Sequence, residues 1–274
     1  MPLSLDQIVA ATRRKVAETR STVDMRRLEL AAEKHAPRGF RRVLEAKSPS
    51  GTAIIAELKK ASPSRGLIRV DFDSARLAAD LERAGAAALS VLTDEEFFQG
   101  SLENLRLAAA ATNLPCLRKD FIVDEFQISE ARANRADAVL LIVAALSQAE
   151  LQALSRLAGD CGLDVLCEVH DLKELQRAID AGCNLIGVNS RDLRTFKVDP
   201  ETAFRLADSI PRSVLRVAES GIHSGADIAR LRTAGYQAFL IGESLMAAKS
   251  PADALRALIE ESERFAASSL RTDH

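Results

Sequence analysis

A chain of 274 residues is longer than one small domain requires and matches either a single α/β barrel of about 250 residues or two compact domains. Its composition, 47% hydrophobic and 28% charged with 13 Gly and 8 Pro, excludes a disordered, collagen-like or coiled-coil protein. With a formal charge of −2, no Trp and one Tyr, it has neither the positive field nor the stacking residues of a nucleic-acid binder, and no field that draws it to an anionic membrane.

Residues 1–47 carry eleven Lys or Arg against six Asp or Glu, a basic segment that reads as the solvated face of helices. LDQIVAATRRKVAE and DMRRLELAAEK have helical period, with Pro37 and Gly39 as punctuation, so an N-terminal helical extension packed on one end of the fold is predicted. The start MPLSLDQIVAATRRK lacks the apolar centre of a signal peptide, and no stretch approaches 18 consecutive apolar residues; a cytoplasmic protein without a membrane span is expected. Cys116, Cys161, Cys167 and Cys183 form no C-x-x-C pair and lie in or beside apolar runs, so they are expected to be small buried thiols in a reducing compartment.

From Ala53 onward one pattern repeats. Short apolar runs at 53–59, 87–92, 114–119, 136–143, 163–169, 184–189, 214–220 and 237–242 alternate with Ala/Leu-rich segments of helical period, several of which stop at Gly. Near-continuous apolar strands suit a parallel sheet buried on both faces. Eight alternations predict an α/β fold of the (β/α)8 TIM-barrel class, with 1–47 as the extension and 53–267 as the barrel of a single 1–274 domain. An open doubly wound sheet is disfavoured because no G-x-G-x-x-G or Walker sequence follows the first run.

In such a barrel chemistry sits at the C-terminal ends of the strands. Glu57, Lys59, Lys119, Glu168, Asn189, Glu219 and Ser220 each end an otherwise apolar run, and their gathering on one rim points to an anionic substrate and acid–base work. AESGI (218–222) and LIGESLM (240–246) place Gly221 and Gly242, with Ser220, Glu243 and Ser244, where main-chain N–H groups can cradle a phosphate; tight turns alone would also explain those glycines. KKASPSRG (59–66) has the composition of an exposed loop, either a mobile lid that brings Lys59, Lys60, Ser62 and Arg65 over an anion or a solvated connector. The four histidines are scattered and form no ligand set, so no metal and no cofactor are expected.

IIAELKKASPSRG, SVLTDEEFFQGS, LRKDFIVDEFQISEARA, ADAVLLI, CEVHD, GVNSRDLRTFKVD, VAESGI and FLIGESLM, in this order, resemble the indole-3-glycerol-phosphate synthase family of tryptophan biosynthesis over residues 53–258. The length resembles its monofunctional form. The departures are Cys167, where a small aliphatic residue is usual, and the pair Asn134–Arg135.

The resemblance implies ring closure, decarboxylation and dehydration of 1-(2-carboxyphenylamino)-1-deoxyribulose 5-phosphate to indole-3-glycerol phosphate. It places Lys119 as the general acid on the ketone oxygen, Glu168 in the proton transfers of dehydration, Glu57 as a second carboxylate, and Lys59 near the substrate carboxylate. It gives Asn189 and Glu219 an orienting role, Arg191 and Ser62 carboxylate contacts, and Ser220, Gly221, Gly242 and Glu243 the phosphate. Lys119 is expected to have a lowered pKa, and Glu57 and Glu168 raised ones. Glu243 is expected to offer the phosphate only its main-chain N–H. The expected partner is a phosphorylated small molecule acted on by a monomer, with no nucleic acid and no membrane. Two rivals are a silent phosphate-binding barrel, which has no need of paired acid and base groups, and phosphoribosylanthranilate isomerase, which uses a catalytic Cys and Asp.

Overall fold

A computed structural model describes residues 4–48, 52–192, 195 and 197–272. Eight parallel strands close into a barrel: β1 Ala53–Leu58, β2 Ala88–Leu92, β3 Cys116–Lys119, β4 Ala138–Ile142, β5 Asp164–Val169, β6 Leu185–Asn189, β7 Leu215–Glu219 and β8 Ala238–Ile241. Each pairs with its sequence neighbours, and β8 pairs with β1 through Ala53↔Ala238 to Ala56↔Ile241. The eight apolar runs of the sequence are these eight strands, each trimmed by one to three residues.

Alternation along each strand divides the core in two. Ile55, Leu117, Leu140, Leu166, Val217 and Leu240 fill the barrel interior. Their neighbours Ile54, Ala56, Val139, Cys167, Ile186, Ala218 and Phe239 face outward under the helices. The interior register, continued to the strand ends, carries Glu57, Lys119, Glu168, Asn189 and Glu219 to the same open end.

The helical layer contains α4 Ser74–Arg83, α6 Leu102–Ala111, α7 Glu125–Ala133, α8 Gln148–Asp160, α9 Leu172–Asp180, α10 Glu201–Ala207, α11 Gly225–Thr233 and α13 Pro251–Thr272, the last running past residue 267. Most begin at a side-chain cap, such as Asp73, Ser101, Asp124, Ser147, Asp171 and Ser224. Two short helices, α5 Glu95–Phe98 and α12 Glu243–Ala247, follow β2 and β8 directly at the C-terminal end of the barrel.

The extension differs from its sequence reading, because it reaches both ends of the barrel. Its first helix, α1 Leu5–Thr22, lies over the C-terminal rim, where Arg13 donates to the Val123 carbonyl and Lys15 pairs with Glu95. Its second, α2 Met25–Glu33, runs beside α7. Its third, α3 Phe40–Lys47, buries Phe40 and Leu44 fully with Ala53, Ala88, Ala138 and Ala238, the first residues of four strands. Alanine at those positions leaves room for the Phe40 ring, so α3 plugs the N-terminal mouth.

The cysteines also need correction. Cys167, facing outward from β5, is bridged to Cys183 before β6, while Cys116 is a fully buried free thiol and Cys161 a half-buried one. The bridge joins two positions that become neighbours only when β5 pairs with β6.

Candidate active site

The open end of the barrel holds a cavity of about 370 Å³. Glu57, Lys59, Lys119, Glu168, Asn189, Glu219, Ser62, Arg191, Ser220, Gly221, Gly242, Glu243 and Ser244 all line it, as does Arg65, whereas Lys60, named with them from the sequence, does not. Leu140, Ile142, Leu240, Ile241, Phe98 and Phe121 supply its apolar walls.

Two ion clusters form its floor. Lys59 Nζ lies 2.7 Å from Glu57 Oε1. Lys119 Nζ lies 3.0 Å from Glu168 Oε2 and 3.4 Å from Glu219 Oε2. All three carboxylates are almost completely buried, so their ionisation depends on these partners. Burial opposes the charge on Glu57, but Lys59 and Lys119 hold its pKa below the usual value. Burial likewise opposes the charge on Glu168, and Lys119, then His170, bring it down. Glu219 differs. Burial, reinforced by the negative charges of Glu168 and Glu57, pushes its carboxyl up to about 8 despite Lys119, and neither of its oxygens makes a hydrogen bond.

These directions reverse the sequence-based expectations. Burial alone would lower the Lys119 pKa, but Glu168, Glu219 and Glu57 together raise it above that of free lysine. Of the three glutamates, Glu219, and neither Glu57 nor Glu168, is the one that holds a proton near neutrality.

Two glycines make the crowding possible. A Cβ on Gly187, the inward residue before Asn189 in β6, would collide with Glu219 Oε1, and a Cβ on Gly242 would collide with Glu57 Oε1. Gly242 therefore clears space for a carboxylate as well as sitting in a candidate phosphate turn. Gly187 reads in sequence only as part of an apolar run. In the turn after β7, Ser220 and Gly221 have φ of 65° and 75°, consecutive left-handed residues of which the serine carries strain of the kind found at functional sites.

The segment after β1 is more ordered than its composition implies. Ala61–Ser62 pairs antiparallel with Gly66–Leu67, and Ala61 and Ser62 are buried. Arg65 at its tip reaches across to Glu243 at 2.9 Å, and Arg191 meets the same carboxylate at 3.2 Å. The Glu243 side chain is thus held between two arginines. The resembling run GVNSRDLRTFKVD includes positions 193, 194 and 196, which lie outside the described residues.

Sequence reasoning passed over Arg118. It points outward between Leu117 and Lys119, is buried, and binds Asp120 and Glu130 at 3.0 and 2.9 Å and the Gln127 carbonyl at 3.0 Å. Asp120 accepts in turn from Thr93 and from the Phe121 main chain. This buried network fixes the loop that follows Lys119. Its signal was the second cation in LRKD, hidden beside Lys119.

The model of the family described as indole-3-glycerol phosphate synthase matches residues 5–258. This chain belongs to that family. It is 58% identical over 259 residues to the indole-3-glycerol phosphate synthase of Koribacter versatilis (strain Ellin345), covering 94% of this chain and 100% of that protein. With the enzyme of that name from Chlorobium phaeovibrioides it shares 50% identity over 242 residues, 88% of this chain and 93% of the relative. Solved structures similar to it include KGPDC from Streptococcus mutans, with TM-score 0.61, 13% identity and coverage of 78% of this chain and 99% of that one. Thiamine phosphate pyrophosphorylase from Pyrococcus furiosus gives 0.58 and 17%, covering 78% and 96%. At that identity both show the barrel alone. No helix among the described residues is long and apolar enough to cross a membrane.

Proposed function

We propose that this chain acts as an indole-3-glycerol phosphate synthase: it closes the ring of 1-(2-carboxyphenylamino)-1-deoxyribulose 5-phosphate, releases CO2 and water, and yields indole-3-glycerol phosphate in tryptophan biosynthesis. The observation that carries the reading is a lysine ammonium, Lys119, held between Glu168 and Glu219 at the floor of an apolar-walled cavity.

Ring closure forms a bond between the aromatic carbon bearing the carboxylate and the ketone carbon. The C=O electron pair moves to oxygen, which takes a proton from Lys119. A lysine kept cationic by the ionised Glu168 and Glu57 is loaded for this step, and the strongly basic alkoxide that forms still draws the proton from it. CO2 then leaves and its bonding pair restores the aromatic ring. Dehydration requires an acid on the departing hydroxyl and a base on the neighbouring CH2. Glu168, kept ionised, serves as that base, and Lys59 serves as the acid beside the substrate carboxylate. Glu219, which keeps its own proton to about pH 8, is positioned to return one to Lys119.

Ser62 and Arg191 take the substrate carboxylate, Asn189 orients the reacting centre, and Glu57 fixes Lys59. Ser220, Gly221, Gly242, Glu243 and Ser244 hold the phosphate, with main-chain N–H groups toward it; the Glu243 carboxylate is turned to Arg65 and Arg191. The reading takes the protein to be a monomer that works in the cytoplasm. The test is continuous indole fluorescence on mixing the purified protein with the substrate in EDTA. A signal that disappears in Lys119→Ala supports the assignment. Tight substrate binding without turnover would instead make the protein a silent phosphate-binding barrel.

A further inference from the structure

Glu168 is gripped from two sides. Toward the cavity its Oε2 meets Lys119, while on the other side His170, just past the end of β5, presents its imidazole. Glu174, in the first turn of α9, accepts from both the main-chain N–H and Nδ1 of His170, at 2.8 and 2.9 Å. That double contact fixes the ring and leaves Nε2 facing Glu168 Oε1 at 3.5 Å. Nε2 is buried and makes no hydrogen bond. The imidazole does not line the substrate cavity.

The charged groups around His170 are Glu168 on its own strand, Glu174 from α9 and Glu219 from β7, with Lys119 of β3 on the far side of Glu168. Burial disfavours the imidazolium, but Glu174, Glu168 and Glu219 outweigh it and raise the His170 pKa. The order Glu174, His170, Glu168 is that of a carboxylate orienting an imidazole that in turn orients a reacting group.

We propose that His170, itself oriented by Glu174, is a positioning residue for the reaction: it turns Oε1 of Glu168 back into the protein and leaves Oε2 to Lys119 and the substrate. The proposal rests on the reading of Glu168 as the base of dehydration. Its consequence is electrostatic. A cation 3.5 Å from Glu168 favours the ionised form, and a base works only when ionised, so removing the cation moves the acid limb of the kcat profile to higher pH.

A ring that merely fills space or supports the start of α9 would alter thermal stability and leave that limb in place. The test measures kcat and KM across the pH range for His170→Asn, Glu174→Gln and Glu168→Gln in the full chain. For His170→Asn we expect the acid limb shifted upward by about one pH unit, so that kcat on that limb falls about 10-fold, with KM unchanged. Glu174→Gln should shift it in the same direction by less. An unshifted limb in His170→Asn, with Glu168→Gln inactive, overturns the proposal and leaves the reading of Glu168 standing. Should His170→Asn fail to fold, the Glu174→Gln profile decides, and an unshifted limb there overturns it equally. Full activity in Glu168→Gln removes the reading of Glu168 and the proposal with it.

Discussion

Gly187 and Glu219 share one volume: the place where a side chain would begin on Gly187 is occupied by Glu219 Oε1. The two residues lie on adjacent strands, Gly187 pairing with Val217 and Asn189 with Glu219, so the inward register of β6 is emptied to let β7 deliver a carboxylate to Lys119. Gly187→Ala is therefore expected to displace Glu219 and crowd Leu166, whose Cδ1 lies 3.2 Å from the added carbon. Overpacking of this kind costs about 1–3 kcal/mol. The outcome is a lower Tm and a clear loss of kcat. Combining it with Glu219→Ala should recover part of the stability and none of the activity. Wild-type kcat in Gly187→Ala would show that the position of Glu219 is irrelevant to turnover.

Lys119 is paired with both Glu168 and Glu219, so its removal has two effects. Lys119→Ala is expected to lower kcat by about 10²-fold to 10⁴-fold, the usual contribution of a positioned acid. The same variant leaves Glu168 and Glu219 without the ammonium between them. Their protonation would then rise together, and the folded variant should be stabilised by acid relative to its stability at pH 8. Indole formation and thermal melts at pH 6 and 8 check both parts. An unchanged kcat would remove Lys119 as the acid.

The barrel was legible in the chain because a parallel sheet covered on both faces must be apolar along its whole strand, and a charge ending such a run can only emerge at the rim. Glu57, Lys119, Glu168 and Glu219 announced themselves in that way. Their protonation states did not. Whether Glu168 or Glu219 keeps a proton depends on which one Lys119 approaches more closely and on His170 behind Glu168, relations between strands distant in sequence. The bridge between Cys167 and Cys183 is equally non-local, since it requires the pairing of Cys167 with Ile186 across β5 and β6. The plug α3 was missed for a different reason: FRRVLEAK offers only the short apolar stripe of Phe40, Val43 and Leu44, too brief to signal a helix whose burial depends on the alanines at the strand starts.

Glu219 gives stability a distinct pH dependence. Its carboxyl has a folded-state pKa of about 8 against an ordinary value of 4.5, so between these limits the folded chain binds more protons than the unfolded one. Stability from this group is complete below about pH 4.5 and is lost as pH rises through about 8. Glu219→Gln keeps the shape and cannot ionise. It should melt higher than wild type at pH 8.5, with the difference vanishing in acid, while kcat falls below about pH 8, where the wild-type carboxyl carries the proton beside Lys119. Equal melting temperatures at pH 8.5 would mean that Glu219 is ionised in the folded protein at neutrality.

At the opposite end of the barrel, stability is tied to Asp137, which has no exposed surface. It accepts from the Arg38 main chain at 2.7 Å, from Arg38 Nη2 and Nε at 2.7 and 3.0 Å, and from the Cys116 main chain at 2.7 Å, with His35 Nε2 at 3.2 Å. One side chain thus joins the extension to the starts of β3 and β4. Burial opposes its charge, but His35 and Arg38 hold its pKa below the usual value. Its contribution is accordingly present above pH 3.8 and lost as pH falls below it. Asp137→Ala leaves the Arg38 guanidinium without its partner, a change that costs about 3–5 kcal/mol. At about 2–4 °C per kcal/mol for a chain of this size class, the melting temperature should fall by about 6–20 °C. Lys119 and Glu168 lie at the other end of the strands, so kcat below the melting transition should be close to wild type. A variant that melts normally would show that the clamp on Arg38 adds nothing to the barrel, and one that is stable but inactive would show that the extension acts on the catalytic rim.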